Sequence, residues 1–386
     1  MIYFDNAAST VTLQCVAEKM NDILFHTYAN PASMSILGLQ AEKEIRNAAE
    51  ILGNSIHCNA NEIYFTSGGS ESDTWAIIGT AMGYCRSGKH LITTKIEHPA
   101  VSQSMKSLEE QGFEITWLDV DKKGYIDLEQ LKQSIRKDTI LVSTILINNE
   151  IGTIQDAQTI GTIIKESNPN TLYHVDAVQA FGKYPINVRK MKIDMLSMSG
   201  HKIHAPKGLG MLYIKDGLKV KPLIYGGGQQ RGKRAGTENT AGAAALALAA
   251  KESIANLEEA EKKVFEVKKT LAGGILNEIE HTQINGDCLE KASPYVLNIS
   301  FKGVKSEILL HALEQKEIFV SAGSACDSRK KTVSSVLQAL GLSFEEIEGA
   351  IRFSFSRFNT VEEAKRCVEA LKEIVPALRK YNKMKK

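Results

Sequence analysis

The stretch EIYFTSGGSESDTWAIIGTAM, residues 62–82, changes from a strand pattern to a helix pattern across one turn of small residues. Its first five residues are mostly β-branched or aromatic, which favours a strand. The helix pattern begins at Ser70. Within it, Trp75, Ile78 and Met82 are spaced three and four apart, so they share one helix face. The stretch therefore predicts a strand, a tight turn and a helix, the unit from which parallel sheets are built.

The same alternation continues through the first two thirds of the chain. Further strands are predicted at residues 90–95, 113–118, 139–147, 172–175, 195–198 and 209–214, with helices between many of them. The run at 139–147 is apolar and β-branched, as in strands that are buried on both faces of a parallel sheet. We therefore predict an α/β fold with a mostly parallel sheet covered by helices.

The pattern changes after the glycine-rich stretch GGGQQRGKRAGTEN (226–239). A long alanine-rich helix is predicted from Thr240 to about Leu271, followed by shorter strands and helices. We place a domain boundary inside this helix, near residue 255. The predicted large domain comprises residues 15–255, and a smaller α+β domain comprises residues 1–14 together with 256–386.

Capping-box patterns mark three helix starts in the sequence. They are formed by Asp127 with Gln130, Ser343 with Glu346, and Thr360 with Glu363.

Composition excludes several classes of protein. The chain has 386 residues, 47 Lys and Arg, 45 Asp and Glu, and 43% hydrophobic residues, as in an ordinary globular protein. Its net charge of +2 gives no support for a nucleic-acid or membrane-surface partner. Six scattered cysteines without a CxxC pair indicate reduced thiols. No apolar run approaches the ~20 residues of a membrane helix, and no signal peptide is visible, so we expect a cytoplasmic protein.

Polar residues at the predicted carboxyl ends of strands are candidate ligand residues, because open α/β sheets bind ligands at that edge. In TSGGSES (66–72), backbone N–H groups, the Ser70 hydroxyl and the helix dipole suit a phosphate, although a tight turn with an N-cap explains the same residues. Asp176 directly follows an apolar strand. It is either a buried carboxylate that faces a cation or a helix cap.

A lysine, a histidine and a cysteine occur at comparable positions. Lys202 lies just past a strand and next to His201, where it suits a covalent imine, although most lysines are simply surface residues. His98, between a strand and a helix, is either a cap or a catalytic group. Cys326 in SAGSACDS (321–328) has only small neighbours, which favours a reactive thiol over an inert buried one.

Two arginines, Arg352 and Arg357, lie in and just beyond the apolar strand of IRFSFSRFN (351–359). An arginine there needs a carboxylate, supplied by a substrate or by another side chain. Together with the turn, the acid and the lysine, such an arginine completes the parts that pyridoxal phosphate (PLP) requires. These are a phosphate nest, an acid for the ring nitrogen, a lysine for covalent linkage and a clamp for the substrate carboxylate.

The chain resembles a known family through a set of motifs in a fixed order. They are DNAAST (5–10), ANPAS (29–33), FTSGGSES (65–72), EHPAV (97–101), NNEIGT (148–153), HVDAVQ (174–179), SGHK (199–202), RAGTEN (234–239), GSAC (323–326) and IRFSFSR (351–357). The family is that of the cysteine desulfurases of the nitrogen-fixation and iron–sulfur-assembly type, on the PLP-dependent fold type I scaffold of class V aminotransferases. The resemblance covers residue 3 to about residue 375. Ser35 stands where the family usually has a histidine.

The resemblance implies a set of residues around PLP. Lys202 would carry PLP covalently, Asp176 would pair with its ring nitrogen, and His98 would stack on the ring and move protons. Gln179 would bind the ring hydroxyl, and Asn149 would lie against both cofactor and substrate. The implied phosphate ligands are Gly69, Ser70, Ser199 and His201, with Thr237 reaching across from the other subunit of a homodimer.

The resemblance also implies the reaction and its partners. Asn149 and Arg352 would bind the carboxylate of the substrate L-cysteine, with Asn30 nearby. Cys326, carried by the smaller domain, would attack the substrate sulfur and leave L-alanine and a persulfide. The sulfur would pass to an acceptor protein whose identity the sequence leaves open, in iron–sulfur assembly, tRNA thiolation or another pathway. No metal is expected.

Other functions remain as alternatives to a cysteine desulfurase. An aminotransferase of the same scaffold has no need of Cys326, and a selenocysteine lyase usually has a shorter cysteine loop. A binding protein that had lost catalysis would have no reason to keep Lys202, Asp176 and His98. A dehydrogenase is not favoured because GxGxxG spacing is missing between a strand and a helix, and a zinc hydrolase is not favoured because no HExxH is present.

Overall fold

The computed structural model describes residues 1–255, 257–322 and 333–384. Cys326 therefore lies outside the described residues. The strands are β1 (Ile2–Tyr3), β2 (Ile63–Thr66), β3 (His90–Thr94), β4 (Glu114–Leu118), β5 (Thr139–Ile145), β6 (Leu172–Asp176), β7 (Met195–Ser199), β8 (Gly210–Ile214), β9 (Thr282–Ile284), β10 (Val296–Phe301), β11 (Ile318–Phe319), β12 (Ser321–Ala322) and β13 (Ala350–Ser354).

Helices lie between most of these strands. They are α1 (Gln14–His26), α2 (Ile36–Ser55), α3 (Gly69–Tyr84), α4 (Pro99–Glu110), α5 (Leu128–Ser134), α6 (Ala157–Ser167), α7 (Thr240–Ala255), α8 (Leu257–Glu278), α9 (Ser306–Glu314), α10 (Ser335–Ala339), α11 (Phe344–Glu348) and α12 (Val361–Met384). The predicted alanine-rich helix thus corresponds to α7 and α8, and α8 extends beyond the predicted end at Leu271. Among the described residues, no helix is both long and apolar enough to cross a membrane.

The larger sheet has seven described strands in the order β2-β8-β7-β6-β5-β3-β4. Strand β8 runs antiparallel to both of its neighbours, and all the other pairs are parallel. Every residue of β5, β6 and β7 is buried. Helices therefore cover both faces of the central strands, which explains their continuous apolar pattern. The predicted α/β fold with a mostly parallel sheet is confirmed.

Two of the three predicted capping boxes are present. Ser343 and Glu346 exchange side-chain and backbone hydrogen bonds, and so do Thr360 and Glu363. The third predicted capping box, that of Asp127 with Gln130, is wrong for the side chain of Gln130. Asp127 accepts from the N–H groups of Glu129 and Gln130, but the Gln130 side chain binds Asp119 instead of returning to Asp127.

A second hydrophobic core lies around the antiparallel sheet β12-β13-β10-β9 and includes residues of α8, α9 and α12. The N-terminus belongs to this core, because β1 pairs in parallel with β11 and Phe4 is fully buried there. The backbone N–H of Ser354 donates to the Phe4 carbonyl at 2.7 Å. These contacts tie the first residues of the chain to the second core, whereas the N–H groups of Thr10 and Leu13 donate to the carbonyls of His201 and His204. The predicted domain boundaries stay a prediction.

Two helical glycines provide a matched test of helix packing. A Cβ on Gly161, in α6, would lie 2.2 Å from the Met191 carbonyl oxygen, whereas a Cβ on Gly273, in α8, would meet nothing within 4 Å. We expect Gly161→Ala to destabilise the protein by about 2 kcal/mol, because a backbone carbonyl must move. Gly273→Ala should stabilise it by about 0.5–1 kcal/mol through helix propensity. Urea unfolding of both variants measures the difference, and equal midpoints would contradict the packing.

Candidate active site

A cavity of about 300 Å³ lies at the carboxyl edge of the larger sheet. Its wall is formed by the ends of β5, β6 and β7, the first turns of α3, the residue that caps α4, the N-terminal segment and β13. The predicted residues that line it are Gly69, Ser70, His98, Asn149, Asp176, Gln179, Ser199, His201, Lys202 and Arg352. A more voluminous surface groove of about 860 Å³ beside α7 and α8 contains none of the predicted residues. Most of the predicted site residues are therefore gathered at the smaller, better-enclosed cavity.

The anion-binding part of the cavity is the N-terminus of α3. Helix N-termini attract anions because their first N–H groups are unpaired within the helix and the dipole is positive there. A Cβ on Gly69 would lie 2.6 Å from Val178 Cγ2, so glycine allows this helix end to approach the segment after β6. The cavity wall beside it includes Ser70 and Ser199. This arrangement suits a phosphate.

Lys202 ends the single helical turn Gly200–Lys202 that follows β7. Its Nζ donates to the carbonyl oxygens of Ala7 and Ala8, at 2.6 and 2.8 Å. The N-terminal segment therefore holds the lysine side chain in the cavity. Gln179 is bound to the same segment, because its Nε2 donates to the Ala7 carbonyl at 3.0 Å.

Asp176 is the last residue of β6 and is only 2% exposed. Its Oδ1 accepts from the Val178 N–H at 2.9 Å. Burial raises the pKa of Asp176, and the nearby His98 and Lys202 act in the opposite direction. A buried carboxylate is costly unless it faces a cation or several donors. The position therefore suits a positively charged ligand group.

His98 combines both of the roles that its sequence position allows. Its Nδ1 accepts from the Ala100 N–H at 3.1 Å, which caps α4, while the ring lines the cavity. Since Nδ1 accepts in this bond, the proton of the neutral ring is assigned to Nε2. Burial lowers the pKa of His98, as does Lys202, whereas Asp176 raises it. The neutral ring can then accept or release a proton at the cavity.

Arg352 enters the cavity from β13 and is only 5% exposed. Its Nη1 donates to the main-chain carbonyl of Asn149 at 3.1 Å, and its Nη2 donates to Asp5 Oδ1 at 3.0 Å. Another side chain of the protein, Asp5, therefore supplies a carboxylate partner for Arg352. Asn149 contacts this arginine through its backbone. The guanidinium is the natural partner for a carboxylate brought by a ligand.

Comparison with known proteins identifies the family. The sequence pattern described as aminotransferase class-V matches residues 2–367. The chain belongs to the class-V aminotransferase family.

Relatives within this family extend over nearly the full chain. The cysteine desulfurase IscS of Methanosarcina thermophila is 43% identical over 378 residues, covering 98% of this chain and 93% of the relative. The enzyme of the same name from Neisseria meningitidis serogroup C is 43% identical over 384 residues, covering 99% and 94%.

Solved structures agree with this assignment. A NifS-like protein superposes with a TM-score of 0.92 at 36% identity, covering 98% of this chain and 100% of that one. SspA in complex with cysteine superposes with a TM-score of 0.81 at 34% identity, covering 93% and 100%. The fold is therefore that of the PLP-dependent fold type I enzymes.

Class-V aminotransferases depend on PLP, and the cavity fits that cofactor. The N-terminus of α3 suits its phosphate, and the buried carboxylate of Asp176 suits a protonated ring nitrogen. Lys202 projects an amine into the same space. One further wall atom, Asp73 Oδ1, is buried and has no hydrogen-bond partner among the described residues. The cavity thus has polar groups that the described part of the protein does not by itself satisfy.

Two buried carboxyl groups at this site, Asp73 and Glu97, were not predicted from the sequence. Burial and the charge of Asp176 raise the pKa of Asp73. Glu97 Oε1 accepts from the Thr94 hydroxyl at 2.6 Å and from the Ile145 N–H at 3.0 Å, while burial raises the pKa of Glu97 to about 8. Their positions could have indicated them, because one acid directly follows the predicted phosphate turn and the other directly precedes His98.

Two predicted residues that the structure describes, Asn30 and Thr237, do not line the cavity of this chain. Asn30 is exposed, and its Oδ1 accepts from the Ala32 N–H at 2.9 Å. Thr237 is also exposed and does not line the cavity, and Cys326 lies outside the described residues. Ser35, which replaces the usual histidine, caps α2 by accepting from the Gly38 N–H at 3.1 Å.

Glu97 should give the protein a specific pH dependence of stability. In the unfolded chain it ionises near 4.5, whereas in the fold it stays protonated up to about 8. Its favourable contribution is complete below the unfolded pKa and is lost as pH rises towards the folded pKa. We therefore expect the melting temperature of the cofactor-free Glu97→Gln variant to fall less than that of the wild type between about pH 5 and 8.

Glu346→Gln is the control for this experiment. Backbone donation from Ser343, followed by the bond from Lys302, lowers the pKa of Glu346 to about 2, so its titration lies below the window. Its loss should leave the slope of melting temperature against pH unchanged. Parallel slopes for Glu97→Gln and the wild type would show that Glu97 is already ionised in the fold.

Proposed function

We propose that the protein is a PLP-dependent cysteine desulfurase that converts L-cysteine to L-alanine. The observation that carries this proposal is the full-length identity of 43% with relatives named as cysteine desulfurases. The cavity supports it, because Lys202, Asp176, His98 and Arg352 line one enclosed space. An amino acid substrate needs this combination of a carboxylate partner, a proton carrier and a cofactor lysine.

Each of these residues has a distinct task in the proposed reaction. Bound PLP supplies an electron sink. Asp176 keeps a positive charge on the ring nitrogen, Arg352 orients the substrate carboxylate, and His98 exchanges a proton at Nε2. Lys202 carries the cofactor.

The sulfur transfer itself is assigned to Cys326. Its thiolate attacks the substrate sulfur, the Cβ–S bond breaks, and Cβ takes a proton to give alanine. The sulfur stays on Cys326 as a persulfide and passes to an acceptor.

The other cysteines are poor candidates for the nucleophile. The described ones are Cys15, Cys58, Cys85, Cys288 and Cys367, and none of these five lines the cavity. Burial raises the pKa of Cys367, and burial together with Glu62 raises that of Cys58 to about 12. A thiol with a raised pKa provides little thiolate at neutral pH.

Cys326→Ser should retain PLP but lose nearly all production of alanine from L-cysteine, because a hydroxyl is a much poorer nucleophile towards sulfur than a thiolate. Alanine and sulfide are measured together in the presence of a reductant. Mass spectrometry should show one added sulfur on the wild-type peptide that contains Cys326. Cys288→Ser, which removes an exposed thiol, is the control and should keep full activity. Full sulfide release by Cys326→Ser would overturn the assignment.

We also propose that two copies of the chain form a homodimer that completes the site. Large apolar side chains are exposed where α1 ends and α2 begins, and these are Leu24, Phe25, Tyr28, Met34, Ile36, Leu37 and Leu39. A cluster of this kind is typical of a protein interface. A second copy would cover it and would bring Thr237, exposed in the single chain, towards the phosphate site of its partner.

Two phenylalanines of equal exposure test the interface. Phe25 and Phe344 are both 68% exposed, but only Phe25 belongs to the apolar cluster. Light scattering should give a dimer for the wild type and for Phe344→Asp. Phe25→Asp should shift the protein towards the monomer, because a charge buried in the interface costs several kcal/mol. It should also lower the affinity for PLP, because the monomer lacks the partner's contribution to the phosphate site. A fully active wild-type monomer would exclude a shared site.

The place of the reaction in metabolism follows from the chemistry. A persulfide must be consumed by an acceptor that is itself a sulfur carrier or a synthetic enzyme. We propose a cytoplasmic location, where thiols stay reduced. Iron–sulfur assembly and tRNA thiolation are the two candidate uses of the sulfur.

A further inference from the structure

Three distant chain segments meet at the guanidinium of Arg352. Its Nη2 donates to Asp5 Oδ1 and to the hydroxyl of Ser321, both at 3.0 Å. The Ser321 hydroxyl in turn donates to Asp5 Oδ1 at 2.8 Å. The N-terminal segment, β12 and β13 are therefore joined by a closed triangle of hydrogen bonds. Asp5 is the only acid of this triangle and the partner of the Arg352 charge within it.

The backbone holds Asp5 in place. Asp5 forms a parallel bridge with Ser354, two residues after Arg352. On either side of Asp5, Ser354 N–H donates to the Phe4 carbonyl at 2.7 Å, and Asn6 N–H donates to the Ser354 carbonyl at 3.2 Å. Because alternate residues of a strand share a face, the side chains of Arg352 and Ser354 point to the same side. The carboxylate of Asp5 is thus presented to the arginine by fixed backbone.

The remaining donors of Arg352 are left for a ligand. A guanidinium has five N–H groups. The two on Nη2 are used by Asp5 and Ser321, and one on Nη1 is used by the Asn149 carbonyl. Nε is buried and has no hydrogen-bond partner among the described residues. The side chain lines the cavity, so Asp5 leaves Arg352 with unused donors at the place where a substrate carboxylate arrives.

We propose that Asp5 is a positioning residue for the substrate carboxylate, acting through Arg352. This inference rests on the proposed desulfurase function and assigns a role to the N-terminal segment in substrate binding. Asp5 orients the guanidinium by accepting a hydrogen bond from Nη2, and Ser321 fixes the carboxylate of Asp5 by donating to the same oxygen, Oδ1. The reverse role, in which Asp5 competes with the substrate for Arg352, predicts the opposite change in affinity.

Asp5→Asn keeps the shape and the acceptor oxygen but removes the charge. We expect KM for L-cysteine to rise about tenfold or more, with kcat nearly unchanged. The charge-assisted hydrogen bonds that orient the guanidinium are lost, and they affect substrate binding and not the chemical step. L-Cysteine methyl ester carries no carboxylate, so its KM should be equal for wild type and variant. Ser321→Ala removes a neutral hydrogen bond and should raise KM for L-cysteine by a smaller factor.

Glu373→Gln is the matched control, because it removes one partner of an exposed ion pair, that with Lys316. It should leave both KM values unchanged. Melting temperatures of the cofactor-free proteins check that every variant is folded. A lower KM for L-cysteine in Asp5→Asn would establish competition instead of positioning. An equal loss with cysteine and its methyl ester would show a merely structural role, and no change at all would also overturn the proposal.

Binding of the product separates this inference from the proposed function. Calorimetry with the PLP-loaded protein gives the Kd of L-alanine without any turnover. Asp5→Asn should weaken L-alanine binding about tenfold and leave the binding of L-alanine methyl ester unchanged. A wild type that binds L-alanine but releases no sulfide from cysteine would contradict the desulfurase function alone. Equal Kd values for L-alanine in wild type and Asp5→Asn would contradict the role of Asp5 alone.

Discussion

The buried carboxylate of Asp176 is the constraint around which the rest of the site is arranged. It stands at the end of a strand whose residues are all buried, so it has little access to water. An ionised carboxylate there requires compensation. The parallel arrangement provides it, because the carboxyl ends of β3, β6 and β7 lie at the same edge of the sheet. His98 and Lys202, which follow β3 and β7, are thereby close enough to lower its pKa. The topology that creates the electrostatic problem thus also supplies the groups that relieve it.

The N-terminal segment connects that edge of the sheet with the second core. Its first residues pair with β11 and pack in the second core, whereas two residues beyond Asp5 the Ala7 carbonyl accepts from Lys202. One short extended segment therefore touches both Lys202, which we propose carries the cofactor, and Arg352, which we propose binds the substrate carboxylate. A change in its position would move both groups together. The two hydrophobic cores are in this way coupled through backbone hydrogen bonds at the cavity.

Much of the site could be predicted from the sequence, because its side chains follow strands and carry recognisable chemistry. Asp176, Lys202 and His98 are examples, and the structure places all three at one cavity. The lysine's acceptors could not be predicted in this way, because a backbone carbonyl such as that of Ala7 has no signature in residue type. The pairing of Asp5 with Arg352 depends on a strand register across 347 residues, which no local pattern specifies. The capping box predicted for Gln130 is incomplete for a related reason. Its side chain binds Asp119, a tertiary partner, instead of the nearby Asp127.

The buried acids also determine which group can carry the charge. Burial is the largest cause of the raised pKa of both Asp73 and Glu97. The charge of Asp176 raises the pKa of each of them further. Neighbouring carboxyls in a low-dielectric site do not all ionise. Burial raises the pKa of Asp176 too, but His98 and Lys202 act in the opposite direction, so we expect Asp176 to ionise first of the three. With Asp73 and Glu97 neutral, Asp176 would be the one negative charge among these acids that a protonated ring nitrogen of PLP would meet. An additional ionised acid would bind the protonated ring more tightly but would also hold electron density away from it, which opposes an electron sink. In the proposed reaction the neutral acids would therefore help by remaining uncharged.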